Sequence, residues 1–315
     1  MWLVEPFDID LDAVLSNQPE DDAPPWDAGA SYALGARVLR GHRVFASMIE
    51  GNLGLDPLTV DQGTDAAEWL EVGYSNARAM FDGVLANRAS ATRSGAPLGG
   101  DYATLGFSEA HVALLLDIPV TGANCLVLFG IDAAMVQVVG LNAAGEVLLS
   151  QRVAVAGREV GSWWEYFTVP VSGARETLVF RDLPVGIARI IIGLDGDTVR
   201  LGEVVLGREI YIGAAQVAGT AGRHVTASRY EFNDFGRLSM VKRPTRREMT
   251  YTVAIEKDHF DRLEGRLGRI TGGLVAAIGS TGRTSTVVFG IMGTIEWAEE
   301  YPDFYIYAFT VKGVS

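Results

Sequence analysis

The chain has 315 residues, of which 48% are hydrophobic and 21% charged, with 37 Gly and 11 Pro. This composition predicts a folded protein of two or three domains and excludes a disordered chain. The formal net charge of −13 excludes nucleic-acid binding through a general basic field. A single cysteine, Cys125, excludes an intramolecular disulfide, and the apolar run around it predicts a buried side chain.

The first ten residues, MWLVEPFDID, carry acids where a secretory signal needs a basic start. No run reaches about 18 apolar residues, so the sequence predicts no membrane span. We therefore expect assembly in a reducing cytoplasm.

Residues 1–83 predict an N-terminal arm followed by a small β-module. The composition of QPEDDAPP, residues 18–25, is typical of a linker. The runs SYALGARVLRG, HRVFASMIEG and EWLEVG then alternate in polarity and are bounded by Gly, Asn or Asp, which is typical of short strands.

Aromatic residues concentrate in this module, at Trp26, Tyr32, Phe45 and Trp69. Two interpretations are open. The rings form the core of a module that has few other large side chains, or they offer flat faces on which a sugar stacks. In the second case nearby polar groups would bind the sugar hydroxyls. The candidates for that role are Asn52, Asp27 and Asp56.

Residues 84–218 contain about seven apolar runs at short intervals and no helical pattern. The sequence LNAAGEVL predicts a hairpin turn, and WWEYFTVPV predicts a further strand. This segment therefore predicts a β-sandwich, of jelly-roll type.

Residues 219–315 predict a β-rich domain with one short helix. Phe260, Leu263, Leu267 and Ile270 follow helical spacing, with Asp258 at the expected N-cap and two glycines after the last turn. Strand patterns precede and follow this helix. The predicted fold is mainly β throughout.

Charge is distributed unevenly along the chain. Residues 1–83 carry a net −11, residues 84–219 a net −4 and residues 220–315 a net +2. The stretch RLSMVKRPTRRE contains five basic residues, which form either a solvated strand face or an interface with an acidic neighbouring subunit. These residues are Arg237, Lys242, Arg243, Arg246 and Arg247.

Known catalytic patterns are absent from the sequence. It contains no HExxH, GxSxG, P-loop, GxGxxG or CxxC motif, and its four histidines lie far apart. Acid-rich stretches such as FDIDLD fall in polar segments, where a carboxylate stays hydrated and its pKa stays low. The FDIDLD spacing lacks the Gly and Glu of a calcium loop. We therefore expect no catalytic residue, cofactor or metal.

The pattern W-x2-G-x2-Y-x2-G-x2-V, followed by VFAS, NLGLDP and EWLEVG, resembles the small chitin- and cellulose-binding modules of bacterial chitinases. The resemblance covers about residues 24–73. It implies a sugar platform at the matching Trp26, Tyr32 and Trp69, with Asn52 beside it.

A wider order of motifs resembles tail-tip or baseplate proteins of siphophages that infect Gram-negative bacteria. The most specific parts are SNARAMFDG at residues 75–83 and Asp-Phe-Gly at residues 234–236. This chain has Ala77, Arg78 and Ala79 where members of that family often carry a longer aromatic-rich form. No catalytic residue is implied by the family.

The resemblance implies a structural virion component that docks through its C-terminal domain and contacts host surface polysaccharide through its module. The implied partners are other tail proteins and further copies of the chain in a symmetric oligomer. A receptor-binding adhesin is the alternative, and a glycan-degrading enzyme is the weaker one.

Overall fold

Antiparallel strands make up most of the chain. The computed structural model describes residues 1–60, 67–93, 101–108, 110–155, 164, 175–232, 235–280, 283–298 and 301–314. Its strands are β1 (Trp2–Pro6), β2 (Leu15–Ser16), β3 (Ser31–Tyr32), β4 (Arg37–Arg40), β5 (Arg43–Ser47), β6 (Asn52–Leu53), β7 (Trp69–Tyr74), β8 (Ala89–Thr92), β9 (Val112–Pro119), β10 (Cys125–Phe129), β11 (Met135–Leu141), β12 (Val147–Ala154), β13 (Thr177–Arg181), β14 (Arg189–Asp195), β15 (Thr198–Leu201), β16 (Glu203–Tyr211), β17 (Ala214–Ala215), β18 (Ala221–Thr226), β19 (Arg229–Phe232), β20 (Leu238–Val241), β21 (Thr245–Glu256), β22 (Leu274–Ile278), β23 (Val287–Ala298) and β24 (Phe304–Gly313).

One α-helix of several turns, α1 (Lys257–Ile270), accompanies the strands in the described part of the chain. Short 3-10 turns occur at Pro57–Thr59, Ala79–Phe81, Tyr102–Leu105 and Thr284–Thr286. The prediction of a mainly β fold with one short helix is confirmed. The strand predicted for WWEYFTVPV lies outside the described residues, apart from Trp164.

The largest sheet has the strand order β13-β10-β16-β1-β22-β23-β24-β21-β17, and β18 adds to β21. Strand β1 lies between β16 and β22 and pairs with both, with Trp2 opposite Tyr211 on one side and Ile278 on the other. Leu3 and Val4 are fully buried and belong to different core clusters, because both faces of β1 are covered. The first residues of the chain therefore join the central and C-terminal segments in one sheet. The segment boundaries at residues 83 and 218 stay predictions.

A second sheet, β12-β11-β14-β9-β2, packs over the β13-β10-β16 end of the first. Leu114 and Leu116 of β9 point into the core between the two sheets. Leu115 points the other way and is covered by Phe107. Strand β9 is therefore apolar on both faces and reads as a continuous hydrophobic run. Asn142 and Gly145 form the predicted turn between β11 and β12, and Cys125 is buried as expected.

Helix α1 packs on the C-terminal half of the large sheet. Phe260 lies 5.1 to 5.6 Å, between ring centroids, from Tyr305, Tyr307 and Trp297. The predicted N-cap is wrong by two residues: Glu256 occupies the cap position, and Asp258 lies in the first turn. There its negative charge complements the positive end of the helix dipole.

The acidic stretch predicted as a linker is bonded to the rest of the molecule. Glu20 contacts His42 Nδ1 at 2.8 Å and accepts a hydrogen bond from Ser75 Oγ at 3.0 Å. Arg78, which is buried, donates to the carbonyl oxygens of Leu11 and Val14. The SNARAMFDG block therefore fastens the N-terminal segment of the chain to the sandwich.

Glu203 is a buried carboxyl group at the junction of that block with β16. It accepts a hydrogen bond from Gly83 N at 3.0 Å, and burial, together with the nearby charge of Asp82, raises its pKa to about 9. In the unfolded chain the reference value is 4.5. Between these values the folded state binds a proton that the unfolded state has lost, so stability falls as pH rises.

We expect Glu203→Gln to raise the stability of the protein at neutral and alkaline pH, because the amide keeps the acceptor for Gly83 N and never ionises. Below about pH 4.5 the variant and the parent should melt together, and the gap should then widen by up to about 1.4 kcal/mol per pH unit until about pH 9. Thermal melts across this range measure it. Glu176→Gln, at an exposed position, is the matched control. A gap that does not depend on pH would contradict the assignment.

Candidate interaction surface

An extended β-ribbon leaves the C-terminal half of the large sheet, and we call residues 221–247 the arm. Its base is the pairing of β18 with β21, from Ala221 opposite Thr250 to Thr226 opposite Thr245. Its outer part is β19 paired with β20, from Arg229 opposite Val241 onwards. Within the described residues, β19 and β20 form a two-stranded sheet of their own.

Alternation along β19 and β20 gives the outer arm two different faces. Residues directly opposite each other in an antiparallel pair share a face, and every second residue along a strand does too. Tyr230 lies opposite Met240, and Phe232 lies opposite Leu238. These four side chains therefore form one apolar face. The other face carries Arg229, Glu231, Ser239 and Val241.

The apolar face of the arm is uncovered in the single chain. Tyr230 and Phe232 are 70% and 67% exposed, and Leu238 and Met240 are 52% and 60% exposed. Phe235, at the tip, is also on the surface. A contiguous exposed apolar patch marks an interaction site, and a lone two-stranded ribbon is only marginally stable in water. The chemistry available here is the burial of this face against another surface.

All five basic residues predicted for a subunit interface lie on the arm. Arg246 pairs with Glu248 at 3.1 Å, and Arg223 from the opposite strand binds the same carboxylate. Lys242 and Arg243 are exposed and make no ion pair within the described residues. The arm therefore presents an apolar face bordered by positive charge.

Two of the four residues predicted to bind glycan are interior. Trp69 is fully buried, packs on Phe45 and donates from Nε1 to the carbonyl oxygen of Leu55 at 2.9 Å. Asn52 is also buried, and its Nδ2 donates to Ser47 Oγ at 3.2 Å. These two residues take the core alternative, and a ligand does not reach them.

Trp26 and Tyr32 are partly buried at the edge of the same small core. The Tyr32 ring meets Trp69 edge-on, with centroids 5.4 Å apart, and its hydroxyl accepts a hydrogen bond from Asp27 N. The Arg40 guanidinium lies over the Trp26 ring, 5.0 Å from the centroid. The expected flat platform of Trp26, Tyr32 and Trp69 is therefore not formed, because each ring already packs against a neighbour within the module.

The histidines do not assemble into a metal centre. His42 lies between Asp12 and Glu20, at 2.9 and 2.8 Å. Across the part of the chain that the structure describes, no group of three or more His, Cys, Asp and Glu residues is arranged so that it could hold a metal ion. In the same residues, no helix has the length and apolar character needed to cross a membrane.

Comparison with known proteins gives no relative: no protein-family model, no curated protein and no solved structure matches this chain. The resemblances to sugar-binding modules and to phage tail proteins therefore stay predictions.

Sequence reasoning found the positive charge of the arm and missed its apolar face. The signal is present: RYEF and LSMV both alternate between polar and apolar residues. The two runs are separated by Asn-Asp-Phe-Gly-Arg, and its Asn, Asp and Gly are typical of a turn. Read together as a hairpin, they place Tyr230, Phe232, Leu238 and Met240 on one face.

We expect Trp69→Ala to lower the free energy of unfolding of the N-terminal module by about 3–5 kcal/mol, the usual cost of removing a large aromatic side chain from a core. Hydrogen exchange of the β5 and β7 amides measures this module by itself. Trp26→Ala, at a half-buried position, should cost clearly less. Equal protection in Trp69→Ala and the parent protein would contradict the core assignment.

Proposed function

We propose that the chain is a structural component of a phage tail tip or baseplate, held in the assembly through its C-terminal part. The observation that carries this proposal is the uncovered apolar face of the arm. A protein that works alone has no use for four large apolar side chains on a projecting ribbon, whereas an assembly subunit buries them against a neighbour. The resemblance of SNARAMFDG and Asp-Phe-Gly to tail proteins supplies the kind of assembly.

The free energies of apolar burial and of association favour contacts that are repeated in an assembly over a single transient contact. Full burial of one such side chain is worth about 1.5–3 kcal/mol, and docking would bury the remaining exposed part of each, so the four together stabilise a complex by roughly 4–7 kcal/mol. Association costs about 4–15 kcal/mol in lost freedom of motion. One arm contact is thus close to balance, and the same contact repeated around a symmetric structure becomes strong.

The adhesin alternative has less support. Two of its four contact residues, Trp69 and Asn52, are in the core of the module. Tyr32 uses its hydroxyl within the module, and Trp26 is covered on one face by Arg40. Contact between this module and host polysaccharide stays a proposal, and it would have to occur without a pre-formed platform of aromatic rings.

Location in the particle tests the proposed function directly. In phage particles purified from a lysate, we expect the chain to be present by mass spectrometry. We also expect gold-labelled antibody against it to mark the tail end far from the head. The antibody against the major head protein of the same particles is the control. Absence of the chain from purified particles would end the proposal.

Removing the outer arm should separate folding from assembly. Residues 229–241 are replaced by Asn-Gly, which closes the ribbon between Ser228 and Lys242 with a two-residue turn. The Ser228 Oγ bond from Arg243 N already brings the two strands together there. We expect the melting temperature to change by no more than about 2 °C, because none of the described residues in this range belongs to a core cluster. Complementation should fail, with particles lacking this chain. Normal incorporation of the shortened chain would contradict a docking role for the arm.

A further inference from the structure

We propose that the arm of one copy docks on the N-terminal module of a second copy of this chain, with its apolar face against an exposed apolar patch there. The inference deepens the proposed function by naming the neighbour that covers the arm. It rests on the proposed function because the phage tail is the assembly that brings several copies of the chain together. The contact joins different surfaces of the two copies.

The receiving patch surrounds the short β3–β6 pair of the module. Leu34 and Leu53 are 63% and 57% exposed, and Met48 and Ile49 are 47% and 39% exposed. They are close together, because Leu34 N donates to Glu50 Oε2 at 2.9 Å. Hydrogen bonding of Gly35 N to Ser47 O, at 2.7 Å, holds the same two turns in contact. The patch therefore matches the arm in chemistry, with four apolar side chains on each side.

Charge selects this pairing over the others that two copies can make. The arm has seven basic and two acidic residues, a net +5, while residues 24–83, which contain the module, carry four basic and eight acidic residues, a net −4. At the patch itself, Asp27 and Glu50 are exposed acids. Packing two arms face to face would bury the same apolar area but bring two +5 ribbons together. Opposite charge across an interface favours the correct encounter, and like charge costs several kcal/mol.

The geometry of such a contact is head-to-tail. Each copy has one arm and one receiving patch, so a contact between them leaves a free arm at one end and a free patch at the other. Such interfaces close into a ring when the rotation between copies allows it. A ring is the arrangement that a tail of cyclic symmetry accepts.

Reciprocal charge reversal in the full-length chain tests the pairing. The arm variant is Arg229→Glu with Lys242→Glu and Arg243→Glu. The module variant is Asp27→Lys with Glu50→Lys. The controls are Arg269→Glu on an exposed position of α1 and Asp21→Lys in the acidic stretch before the module. Circular dichroism melts confirm that each variant is folded, and sedimentation velocity at low salt measures association.

We expect the parent chain to associate and each charge-reversal variant to be at least tenfold weaker in its dissociation constant. The two controls should associate like the parent. Mixing the arm variant with the module variant should restore association, because each arm then meets a patch of opposite charge. The double variant Tyr230→Ser with Phe232→Ser should also lose association, although its charge is unchanged, since it lacks half of the apolar face.

Three results would overturn the inference. The parent chain could stay monomeric at every concentration reached. The module variant could associate as strongly as the parent. The arm variant could associate with the parent while the charge reversal in the module leaves association unchanged, which is the signature of arm-to-arm pairing. A chain present in particles but monomeric alone would sink this inference and leave the proposed function standing. An oligomer that matches the expectation but is absent from particles would do the reverse.

Discussion

Strand β1 exchanges main-chain hydrogen bonds on both sides, with β16 of the sandwich and with β22 of the C-terminal half. Leu3 and Val4 are buried on its opposite faces, and strands pair with both of its edges, so it has no free edge. Gly207 lets β16 come close to it, since a Cβ there would overlap the carbonyl oxygen of Glu5. A strand held in this way cannot shift register without exposing its apolar side chains. It therefore fixes the sandwich and the sheet that carries the arm to each other.

The base of the arm is built on a strand of the core. In β21, Met249, Tyr251, Val253 and Ile255 alternate into the core. The same strand continues outwards to Thr245 and pairs with β18 along that length. The base of the arm, where β18 pairs with β21, is thus an extension of a core strand and not a free loop.

Local pattern predicted local structure well, and it failed where a distant partner decides. Helical spacing located α1, and alternation located the strands of the sandwich, because both signals are read within a few residues. The role of β1 depends on strands more than 200 residues away. The sequence leaves Trp69 open between a core and a sugar site, and only its contact with Phe45 decides between them. The sequence predicts Asn52 for the sugar site, and its bond to Ser47 lies inside the module. The outer arm is the opposite case. Its alternation predicts a strand with one buried face, yet that apolar face is exposed in the described part of the single chain.

An uncovered apolar ribbon is a hazard before it finds its partner. Among the residues that the structure describes, β19 and β20 pair only with each other, and the open outer edges of such a pair invite pairing with a second ribbon and aggregation. Lys242 and Arg243 follow the apolar face at its inner end and Arg229 lies on the opposite face of the ribbon, so two arms carry like charge and repel each other before their apolar faces meet. The same charges attract the acidic module. Positive charge on the arm therefore opposes the wrong contact and favours the right one, and this accounts for basic residues concentrated in one stretch of a chain whose net charge is −13.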